Sequence, residues 1–528
     1  MRKDELSKWD KETEVLVAGY GFAGAVAAID AHDAGAEVLL IEKERHPAGC
    51  SPSAGGAIGF VSDVGKAFEY FKISAGGRTP DDVIRAYCEQ AYRIPDYIKN
   101  LAAVDGAEYV DRGSEEYGWG VFDHPGREGL SSIVISKVPG FTSFPWYPAQ
   151  TAAGTLLVKV LMDNVDARKV PVMFSTPATE LVQDEITGEI VGVIAEKEGK
   201  GISIKCKKAV ILACGGFEQN VEMRKQFLQG ISWTSMCHTS NTGDGIRMAQ
   251  KVGAGLWHMW HIHGSYGFWF PELGKISIRH AFGSGPGGRY GRERQMPWIV
   301  VDKWGRRYMN EMAPMPQDLN HRPMELFDGN LWLAPHYKKG ANGYPRVPSW
   351  IIFDEGGRRL SALGTTRVSW SPYKWSRDNS EELKKGWIIK ADTLKELAGK
   401  IKADPQNDGL MSADVLEKTV IRWNEIVASG EIDPDFLRGP KSFFKPIVTL
   451  PYYAIKIWPL INNTQGGPVH NAKQQVLDSF GKVIPRLYAI GELGSMFGHV
   501  YETQGNICEC FTSGHIAASN ATAEKIWD

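Results

Sequence analysis

The stretch 14–24, which reads Glu-Val-Leu-Val-Ala-Gly-Tyr-Gly-Phe-Ala-Gly, constrains the fold more than any other part of the chain. A short apolar run at 15–18 predicts a buried strand, and the small residues at 25–34 predict a helix. Between them, Gly19 permits a tight turn, Gly21 lets the backbone approach a pyrophosphate, and Gly24 lets the helix pack closely on the strand. The order of strand, glycine turn and helix therefore predicts a dinucleotide-binding βα unit whose helix N-terminus faces the phosphates.

A second apolar run at 38–41 ends at Glu42, where a carboxylate is well placed to accept hydrogen bonds from a ribose. The loop 43–56 is rich in glycine and serine, and its amides and hydroxyls can hold a diphosphate or the edge of a ring. A flexible connector is the alternative interpretation of this loop. Further predicted cofactor contacts in the turn and the loop are Phe22, Ala23, Lys43, Ser51, Ser53, Ala54, Gly55 and Gly56.

Two later strands are predicted to end in glycines, which is where ligands bind in open α/β sheets. One covers residues 209–217, and the other covers residues 483–492 and ends in a Gly-Glu pair. A long terminal helix is predicted to begin at Gly505, and its N-terminus can direct partial positive charge at a ring that becomes anionic on reduction. The predicted contacts from these segments and from the helix that opens near residue 244 are Ala213, Gly215, Asp244 and Glu492.

At 528 residues the chain is longer than a typical domain, so two domains with separate cores are expected. With 43% hydrophobic and 23% charged residues the protein is predicted to be globular. The composition becomes rich in tryptophan, histidine and arginine from about residue 256. We predict a nucleotide-binding domain formed by residues 1–255 and 448–528, with a substrate-binding or cap domain inserted at 256–447.

Residues 110–150 are rich in glycine and aromatic residues, which predicts an irregular segment that lines a pocket. His258, His261 and His263 lie among tryptophans and are open to two interpretations, a metal site or an aromatic wall. Because no acidic residue lies among them, we favour the wall and predict no metal.

The net charge of −2 and the pI near 6.7 exclude a broad electrostatic attraction to nucleic acid or anionic lipid. The first residues lack the apolar core of a signal peptide, and no run of about 18 apolar residues occurs, so a cytoplasmic protein without a membrane span is expected. The seven cysteines have no paired CxxC spacing, which predicts reduced thiols. Cys508 and Cys510 are expected to be packing residues.

Six motifs occur in an order that resembles the fumarate reductase and succinate dehydrogenase flavoprotein superfamily, which includes the 3-ketosteroid dehydrogenases. They are the Gly19 turn with Glu42, Ala213-Cys-Gly-Gly-Phe217, Thr242-Gly-Asp-Gly245, Arg306-Arg-Tyr-Met-Asn-Glu311, Asn463-Thr-Gln-Gly-Gly467 and Ile484-Pro-Arg-Leu-Tyr-Ala-Ile-Gly-Glu492. The resemblance covers nearly the whole chain. It implies an α/β fold, with a Rossmann-like FAD-binding domain of the glutathione-reductase type and an inserted α+β cap domain. It also implies an FAD-dependent oxidoreductase that adds or removes a hydrogen pair across a C–C bond next to a carbonyl.

The same resemblance implies roles for individual residues through their match to the family's motifs. Glu42 would hold the adenosine ribose, Ala178 would contact the adenine, and Glu492 would hold the ribityl chain. Asn506 and Ile507 would lie at the pyrimidine edge of the flavin.

Three positions depart from the dicarboxylate reductases of this superfamily. Those enzymes have a histidine at the place of Asn463, an arginine in the segment that here reads His499-Val-Tyr-Glu-Thr-Gln504, and an acid-catalyst arginine at the place of Met315. A dianionic substrate needs several fixed cations, because arginine forks bind carboxylates bidentately. The departures therefore argue against a fumarate-type substrate.

Tyr501-Glu-Thr-Gln-Gly505 resembles the Tyr-x-x-x-Gly element of ketosteroid Δ1-dehydrogenases, in which the tyrosine hydroxyl and the glycine N–H bind a ketone oxygen. Two donors on this oxygen stabilise the enolate that forms as an α-proton leaves. A core aromatic residue is the alternative interpretation of Tyr501. The tyrosine base expected from the resemblance is replaced by Met315, so Tyr290, His321 and Tyr147 are open candidates for proton transfer.

Three functions follow from these observations. The first is the FAD-dependent α,β-dehydrogenation of a cyclic ketone, either a 3-ketosteroid or a smaller alicyclic ketone, with an external electron acceptor. The second is an ene-reductase for an enone or an unsaturated acid, with an external electron donor. The third is a flavin-binding protein without catalysis. The sequence leaves the oligomeric state open.

Overall fold

The structure, a computed structural model, describes residues 1–6, 8–113, 122–148, 153–228, 234–281, 284–285, 288–289, 298–311, 322–330, 343–365, 369–438, 445–502 and 504–527. The chain divides into two compact units. The first comprises Met1–Leu228, Cys237–His263 and Asn463–Asp528, and the second comprises Gln229–Met236 and Gly264–Asn462.

The strands, numbered in chain order, are β1 Lys11–Ala18, β2 Val38–Ile41, β3 Ala57–Val61, β4 Glu108–Asp111, β5 Leu130–Lys137, β6 Val172–Met173, β7 Ala178–Gln183, β8 Ile190–Lys197, β9 Lys200–Leu212, β10 Thr234–Ser235, β11 Leu256–Trp257, β12 Ile262–Phe268, β13 Ile278–His280, β14 Ser284–Gly285, β15 Gly288–Arg289, β16 Trp298–Val301, β17 Ser349–Asp354, β18 Gly364–Thr365, β19 Ile388–Ala391, β20 Tyr452–Thr464, β21 Gly467–Pro468, β22 Gln475–Leu477 and β23 Val483–Ala489.

The α-helices are α1 Phe22–Asp33, α2 Val64–Ser74, α3 Asp81–Ala91, α4 Ile94–Ala102, α5 Ala153–Ala167, α6 Val221–Phe227, α7 Asp244–Lys251, α8 Glu355–Leu360, α9 Ser380–Lys384, α10 Leu394–Ala403, α11 Ala413–Ser429 and α12 Gly505–Ala523. Short 3-10 helices occur at Lys3–Glu5, Arg127–Gly129, Pro271–Leu273, Arg322–Glu325 and Pro405–Asn407.

The first unit is built on a mixed sheet with the strand order β22-β23-β9-β1-β2-β6, to which β8 and β7 add from β9. β1 pairs in parallel with β2 and β9, and β9 pairs in parallel with β23. The C-terminal half of β1 and all of β2 are buried, which explains their continuous apolar sequences. α1 packs closely on α12, since a Cβ added to Gly514 would lie 2.9 Å from Val26 Cγ1. This arrangement is the predicted Rossmann-like domain.

A second sheet of this unit corrects one expectation from the sequence. Part of the segment 110–150, predicted to be irregular, forms the eight-residue strand β5, which pairs antiparallel with β3 and β4. The sequence Leu-Ser-Ser-Ile-Val-Ile provides the reason, because Ile133, Val134 and Ile135 are buried and β-branched residues favour strands. Glycines and aromatic residues elsewhere in the segment obscured this local signal.

The second unit has its own sheet, in the order β16-β17-β20-β12-β13-β18, with β10 and β19 also paired to β20. Alternate residues of β16 and β17 enter two different cores, as the two-residue period of a strand requires. One core is rich in tryptophan and phenylalanine, and the other contains α10 and α11. In the parts of the chain that the structure describes, no helix is long and apolar enough to cross a membrane.

Candidate active site

The glycine turn after β1 has the geometry predicted from its spacing. Gly19 has a φ of +111°, and a Cβ at this position would lie 2.4 Å from the carbonyl oxygen of Ala213. A Cβ on Gly24 would lie 1.9 Å from the carbonyl oxygen of Gly19, so the start of α1 can approach the turn only without a side chain. Ser51 Oγ accepts a hydrogen bond from the Phe22 amide at 3.0 Å, which brings the glycine and serine loop to the helix N-terminus.

An open cleft lies over this turn, and it is lined by residues of the first unit. Its lining includes the predicted residues Gly19, Gly21, Phe22, Ala23, Glu42, Lys43, Ser51, Ala178, Ala213, Gly215, Asp244 and Glu492. The other predicted cofactor residues, Gly24, Ser53, Ala54, Gly55, Gly56, Asn506 and Ile507, are outside this lining. Ser53 Oγ donates to the carbonyl of Cys50 at 3.0 Å, and a Cβ on Gly56 would lie 2.2 Å from Ala153, so both pack within the protein.

Charged side chains at the cleft are held by local partners. Glu42 accepts hydrogen bonds from the amides of Tyr20 at 2.7 Å and Glu44 at 2.9 Å, which place its carboxylate at the end of β2. Burial raises the pKa of Glu42, and the two amide donors oppose this rise. Lys43 Nζ lies 2.6 Å from Asp244 Oδ2, so two residues predicted separately form one ion pair.

Asn506 and Gln465 form a buried polar edge. The side-chain amide of Asn506 donates to Gln465 Oε1 at 2.8 Å. Among the described residues, Asn506 Oδ1 and Gln465 Nε2 are buried and have no hydrogen-bond partner. One acceptor and one donor thus remain to be satisfied, and the pyrimidine edge of a flavin offers the complementary N–H and carbonyl groups. The residues present therefore fit a flavin.

Tyr501 stacks on His263, a residue to which sequence reasoning gave no catalytic role. Their ring centroids are 3.5 Å apart and their planes differ by 3°. His263 Nδ1 lies 2.8 Å from Asn463 Oδ1, which fixes the orientation of the imidazole. The next residue, Glu502, accepts hydrogen bonds from Ser74 Oγ at 2.8 Å and Tyr70 Oη at 3.1 Å on α2. These contacts hold the segment that contains Tyr501 in one position.

Gly505, the predicted second donor, begins α12. Its N–H donates to the carbonyl of Glu502 at 3.0 Å, and its own carbonyl accepts from Tyr87 Oη at 3.2 Å. The amide predicted to bind a substrate oxygen therefore already has an acceptor within the protein. Its use in catalysis stays a prediction.

The predicted proton-transfer residues separate into two groups. The candidates Tyr290 and His321 lie outside the described residues, as does Met315, which stands at the place of the expected base. Tyr147 is buried, and burial together with the charge of Cys237 raises the pKa of its phenol, which disfavours the phenolate form that a base requires.

Glu311, the glutamate that ends the motif 306–311, is buried in the second unit between two arginines. Its Oε2 lies 3.0 Å from Arg307 Nη2 and 3.1 Å from Arg438 Nη1.

The three histidines of the predicted aromatic wall each contact a different acceptor. His258 Nδ1 lies 2.7 Å from the carbonyl of Ser495, and His261 Nδ1 lies 2.6 Å from the carbonyl of Phe497. His263 contacts Asn463 instead, as described above. Sequence reasoning could not separate His263 from its neighbours, because all three share the same aromatic surroundings along the chain.

Two carboxylates of the first unit are shielded from water, because Glu492 is half-buried in the lining of the cleft and Glu509 is buried on α12. Glu492 Oε1 accepts from the Thr464 amide at 3.1 Å, and burial together with the charge of Glu218 raises the pKa of Glu492. Glu509 accepts from Ser495 Oγ at 2.6 Å and from the Met496 amide at 2.7 Å. Burial raises the pKa of Glu509 to about 7, because its effect on the pKa is larger than the opposing effect of these hydrogen bonds.

Glu509 should make the protein less stable as the pH rises. Its pKa in the folded state, about 7, is above the usual glutamate value of 4.5, so the native state binds more protons between these values. The stabilisation is complete below the lower value and is lost as the pH rises through the higher one, by about 3 kcal/mol. We expect Glu509→Gln to flatten the pH dependence of the free energy of unfolding, measured by urea titration across this range. An unchanged slope in the variant would contradict this assignment.

The glycine turn, the acidic residue that ends β2 and the unsatisfied amide edge together define a flavin-dependent oxidoreductase of the dinucleotide-binding type. Residues 14–507 match the FAD binding domain family, and the chain belongs to that family. Its cofactor is FAD, and it acts on CH–CH bonds.

Known proteins similar to this chain include both dehydrogenases and reductases. The 3-oxosteroid 1-dehydrogenase of Mycolicibacterium smegmatis is 26% identical over an alignment of 597 positions, gaps included, which covers 97% of this chain and 98% of the relative. The fumarate reductase (cytochrome) of Shewanella frigidimarina is 26% identical over 528 residues, which cover 96% of this chain and 76% of the relative. The resemblance to this superfamily is thereby confirmed.

A solved structure supports the fold. The 3-ketosteroid Δ1-dehydrogenase of Sterolibacterium denitrificans, in complex with 1,4-androstadiene-3,17-dione, matches 97% of this chain and 100% of its own with a TM-score of 0.78. At 22% identity this similarity concerns the fold alone. The predicted FAD-binding α/β architecture is confirmed.

We expect Asn506→Leu to weaken FAD binding by about tenfold. The change removes the Asn506 amide that donates to Gln465 and that offers an acceptor to the flavin. We expect the free energy of FAD binding to become less favourable by about 1.5 kcal/mol. Titration of FAD into apoprotein, followed by flavin fluorescence, measures the Kd. Asn520→Ala on the same helix is the matched control, since Asn520 donates only within α12, to the carbonyl of Ile516 at 2.8 Å. Equal Kd values for the two variants would contradict the proposed role of Asn506.

Proposed function

We propose that this enzyme catalyses the α,β-dehydrogenation of a cyclic ketone, either a 3-ketosteroid or a smaller alicyclic ketone. The observation that carries the proposal is the position of Tyr501, whose ring lies 3.5 Å from that of His263 while Glu502 is anchored on α2. A phenol can bind a ketone oxygen as a neutral donor, but it brings none of the fixed positive charge that a dianionic substrate needs. Tyr501 is 8% exposed, so its side chain is largely shielded from bulk water.

Each residue of this group has a distinct part in the proposed reaction. Tyr501 Oη donates to the ketone oxygen and stabilises the enolate that forms as the α-proton leaves. His263, oriented by Asn463, holds the phenol ring through its parallel face and fixes the direction of the hydroxyl. The Gly505 amide is the proposed second donor, and it would share or exchange its present acceptor, the carbonyl of Glu502. FAD, when bound, would supply the acceptor for the β-hydrogen, which leaves as a hydride, and the α-proton would pass to a base for which Tyr290, His321 and Tyr147 are the candidates from the sequence.

The flavin would be held by the residues of the cleft. We propose that the amides around Gly21 and the hydroxyl of Ser51 bind the pyrophosphate, and that Glu42 and Glu492 accept hydrogen bonds from the ribose and the ribityl chain. The buried edge of Asn506 and Gln465 would bind the pyrimidine ring. Glu492 has a raised pKa, and hydroxyl donors from a ribityl chain would offset the cost of burying its charge.

The second candidate function is the reverse reaction, reduction of an enone or an unsaturated acid by an external electron donor. One observation favours it: His263 lies beside Tyr501 and presents an ionisable group that can carry a proton or a positive charge. Arg78 adds a cation in this unit, although its Nε lies 3.3 Å from His499 Nδ1 and its guanidinium is 5.4 Å from the Trp260 ring. The similarity to a fumarate reductase supports the same alternative.

Anaerobic spectroscopy of the FAD-loaded enzyme tests both functions. We expect a saturated cyclic ketone to bleach the flavin absorbance and an artificial dye to restore it, with 3-ketosteroids and small alicyclic ketones compared in one panel. In the reverse assay, chemically reduced enzyme is mixed with enones and with unsaturated acids. Reoxidation by unsaturated acids, together with no bleaching by any ketone, would replace the first proposal with the second.

A further inference from the structure

Two cysteines that are distant in sequence meet beside the FAD cleft. Cys50 lies in the loop after Glu42, Cys237 lies in the segment that precedes α7, and their Sγ atoms are 2.7 Å apart. Glu218 Oε1 accepts a hydrogen bond from Cys50 at 3.0 Å, and the Asn241 side chain donates to the same sulfur at 3.3 Å. Neither cysteine is part of a disulfide bond. Because a disulfide bond is about 2.05 Å long, a movement of about 0.7 Å would join the two sulfur atoms.

Two chain segments beside the cleft, which we call its walls, carry the cysteines. The first is 43–51, with Gly49, Cys50 and Ser51 in the lining, and the second is 237–244, with Ser240, Asn241 and Asp244 in the lining. Cys237 precedes Ser240 by three residues and is 1% exposed. The walls are also linked by the ion pair between Lys43 and Asp244. A covalent bond between residues 50 and 237 would therefore tie together two segments that both contribute residues to the FAD cleft, and would restrict their separation.

We propose that Cys50 and Cys237 oxidise to a disulfide that joins these two walls and slows the release of FAD. Each thiol loses one proton and one electron as the S–S bond forms. The oxidant is a small thiol oxidant from solution, such as an azo compound, whose N=N bond takes up the two electrons and two protons and becomes a hydrazine. A dithiol reductant reverses the step. The proposal concerns cofactor retention and is independent of the substrate.

The surroundings of the pair determine how it reacts. Cys50 is partly exposed and Cys237 is buried, so Cys50 is the thiol that a small oxidant reaches first. Cys237 then attacks the oxidised Cys50 sulfur, which closes the disulfide and releases the hydrazine. Burial, the adjacent Cys237 and Glu218 raise the pKa of Cys50 well above its usual value. Since the thiolate is the reactive form, oxidation should be slow at neutral pH and faster in mildly alkaline solution. A thiolate that is not stabilised also makes the disulfide harder to reduce.

The test compares one preparation of FAD-loaded protein before and after treatment with diamide, and again after reduction with dithiothreitol. Peptide mapping without reductant identifies cross-linked peptides, and the rise of flavin fluorescence after dilution measures the rate of FAD release. We expect a peptide that joins residues 50 and 237, a release rate several-fold lower in the oxidised sample, and a return to the original rate after reduction. Because the chain is unchanged, this comparison does not depend on whether a variant folds.

Single variants test whether the effect of diamide on FAD release requires both Cys50 and Cys237. Cys50→Ser and Cys237→Ser should each abolish the cross-link and the effect of diamide on FAD release. Cys88→Ala is the matched control, since Cys88 is a buried thiol on α3 of the same unit, and it should behave like the parent protein.

Three results would overturn the proposal. The first is the absence of a peptide that joins residues 50 and 237, and the second is a cross-link that leaves the rate of FAD release unchanged. The third is stoichiometric zinc in the purified protein whose removal by a chelator is required before diamide reacts. The ligand atoms of Cys50, Glu218 and Cys237 lie within 4.8 Å of one another, so this third result would identify a metal site instead.

Discussion

Tyr501→Phe is expected to lower kcat for ketone dehydrogenation by about 10²-fold while KM changes little. A donor to a developing oxyanion interacts more strongly with the transition state than with the neutral ketone, so its loss affects kcat more than substrate binding. The loss corresponds to about 2.7 kcal/mol of transition-state stabilisation. Phenylalanine keeps the ring that stacks on His263 at 3.5 Å, so the geometry of the neighbouring residues should be retained.

Stopped-flow bleaching of FAD by the best ketone of the panel measures this effect directly. The absorbance spectrum of the bound flavin should match that of the parent enzyme, which separates a catalytic effect from a loss of cofactor. Tyr92→Phe is the matched control, because Tyr92 is 57% exposed at the end of α3. A Tyr501→Phe enzyme that bleaches at the parent rate would remove the proposed role of the hydroxyl.

Gly24→Ala is expected to abolish FAD binding and to destabilise the first unit by about 3 kcal/mol. The added Cβ would lie 1.9 Å from the carbonyl oxygen of Gly19, a backbone atom that cannot move without opening the turn. The displaced turn would no longer present the amides around Gly21 to a pyrophosphate. The effect should exceed that of Asn506→Leu, since it changes the backbone of the cofactor site rather than one side chain.

Flavin content after purification and the midpoint of urea unfolding measure the two consequences of Gly24→Ala. The control is Gly399→Ala in α10, where the added Cβ has nothing within 4 Å. This control should keep its FAD and gain up to about 1 kcal/mol, because alanine is the better helix former. A yellow, fully loaded Gly24→Ala protein would show that the turn tolerates a methyl group and that its geometry is less strict than the structure indicates.

Local patterns were sufficient to predict the cofactor turn and the motifs around it. Gly19 and Gly24 are required by contacts within the turn and with the adjacent strand, and Glu42 follows directly from the end of β2. Such features depend on backbone sterics over a few residues, and the spacing of the glycines in the sequence directly indicates this local geometry. The segment 110–150 shows the limit of this approach, because its overall composition concealed the short β-branched run that forms β5.

The sequence by itself determined that this chain is an FAD-dependent oxidoreductase of the fumarate reductase and ketosteroid dehydrogenase type, since the residues of each motif lie close together along the chain and the motifs follow one another in a known order. Only the tertiary structure decided that His263 stacks on Tyr501, that the Gly505 amide already has an acceptor, and that Cys50 meets Cys237. The stacked rings and the cysteine pair each join residues that are more than 180 positions apart in the sequence. The two cysteines, for example, are 187 positions apart. Contacts over such separations depend on how whole elements pack, and no local pattern of residues encodes them.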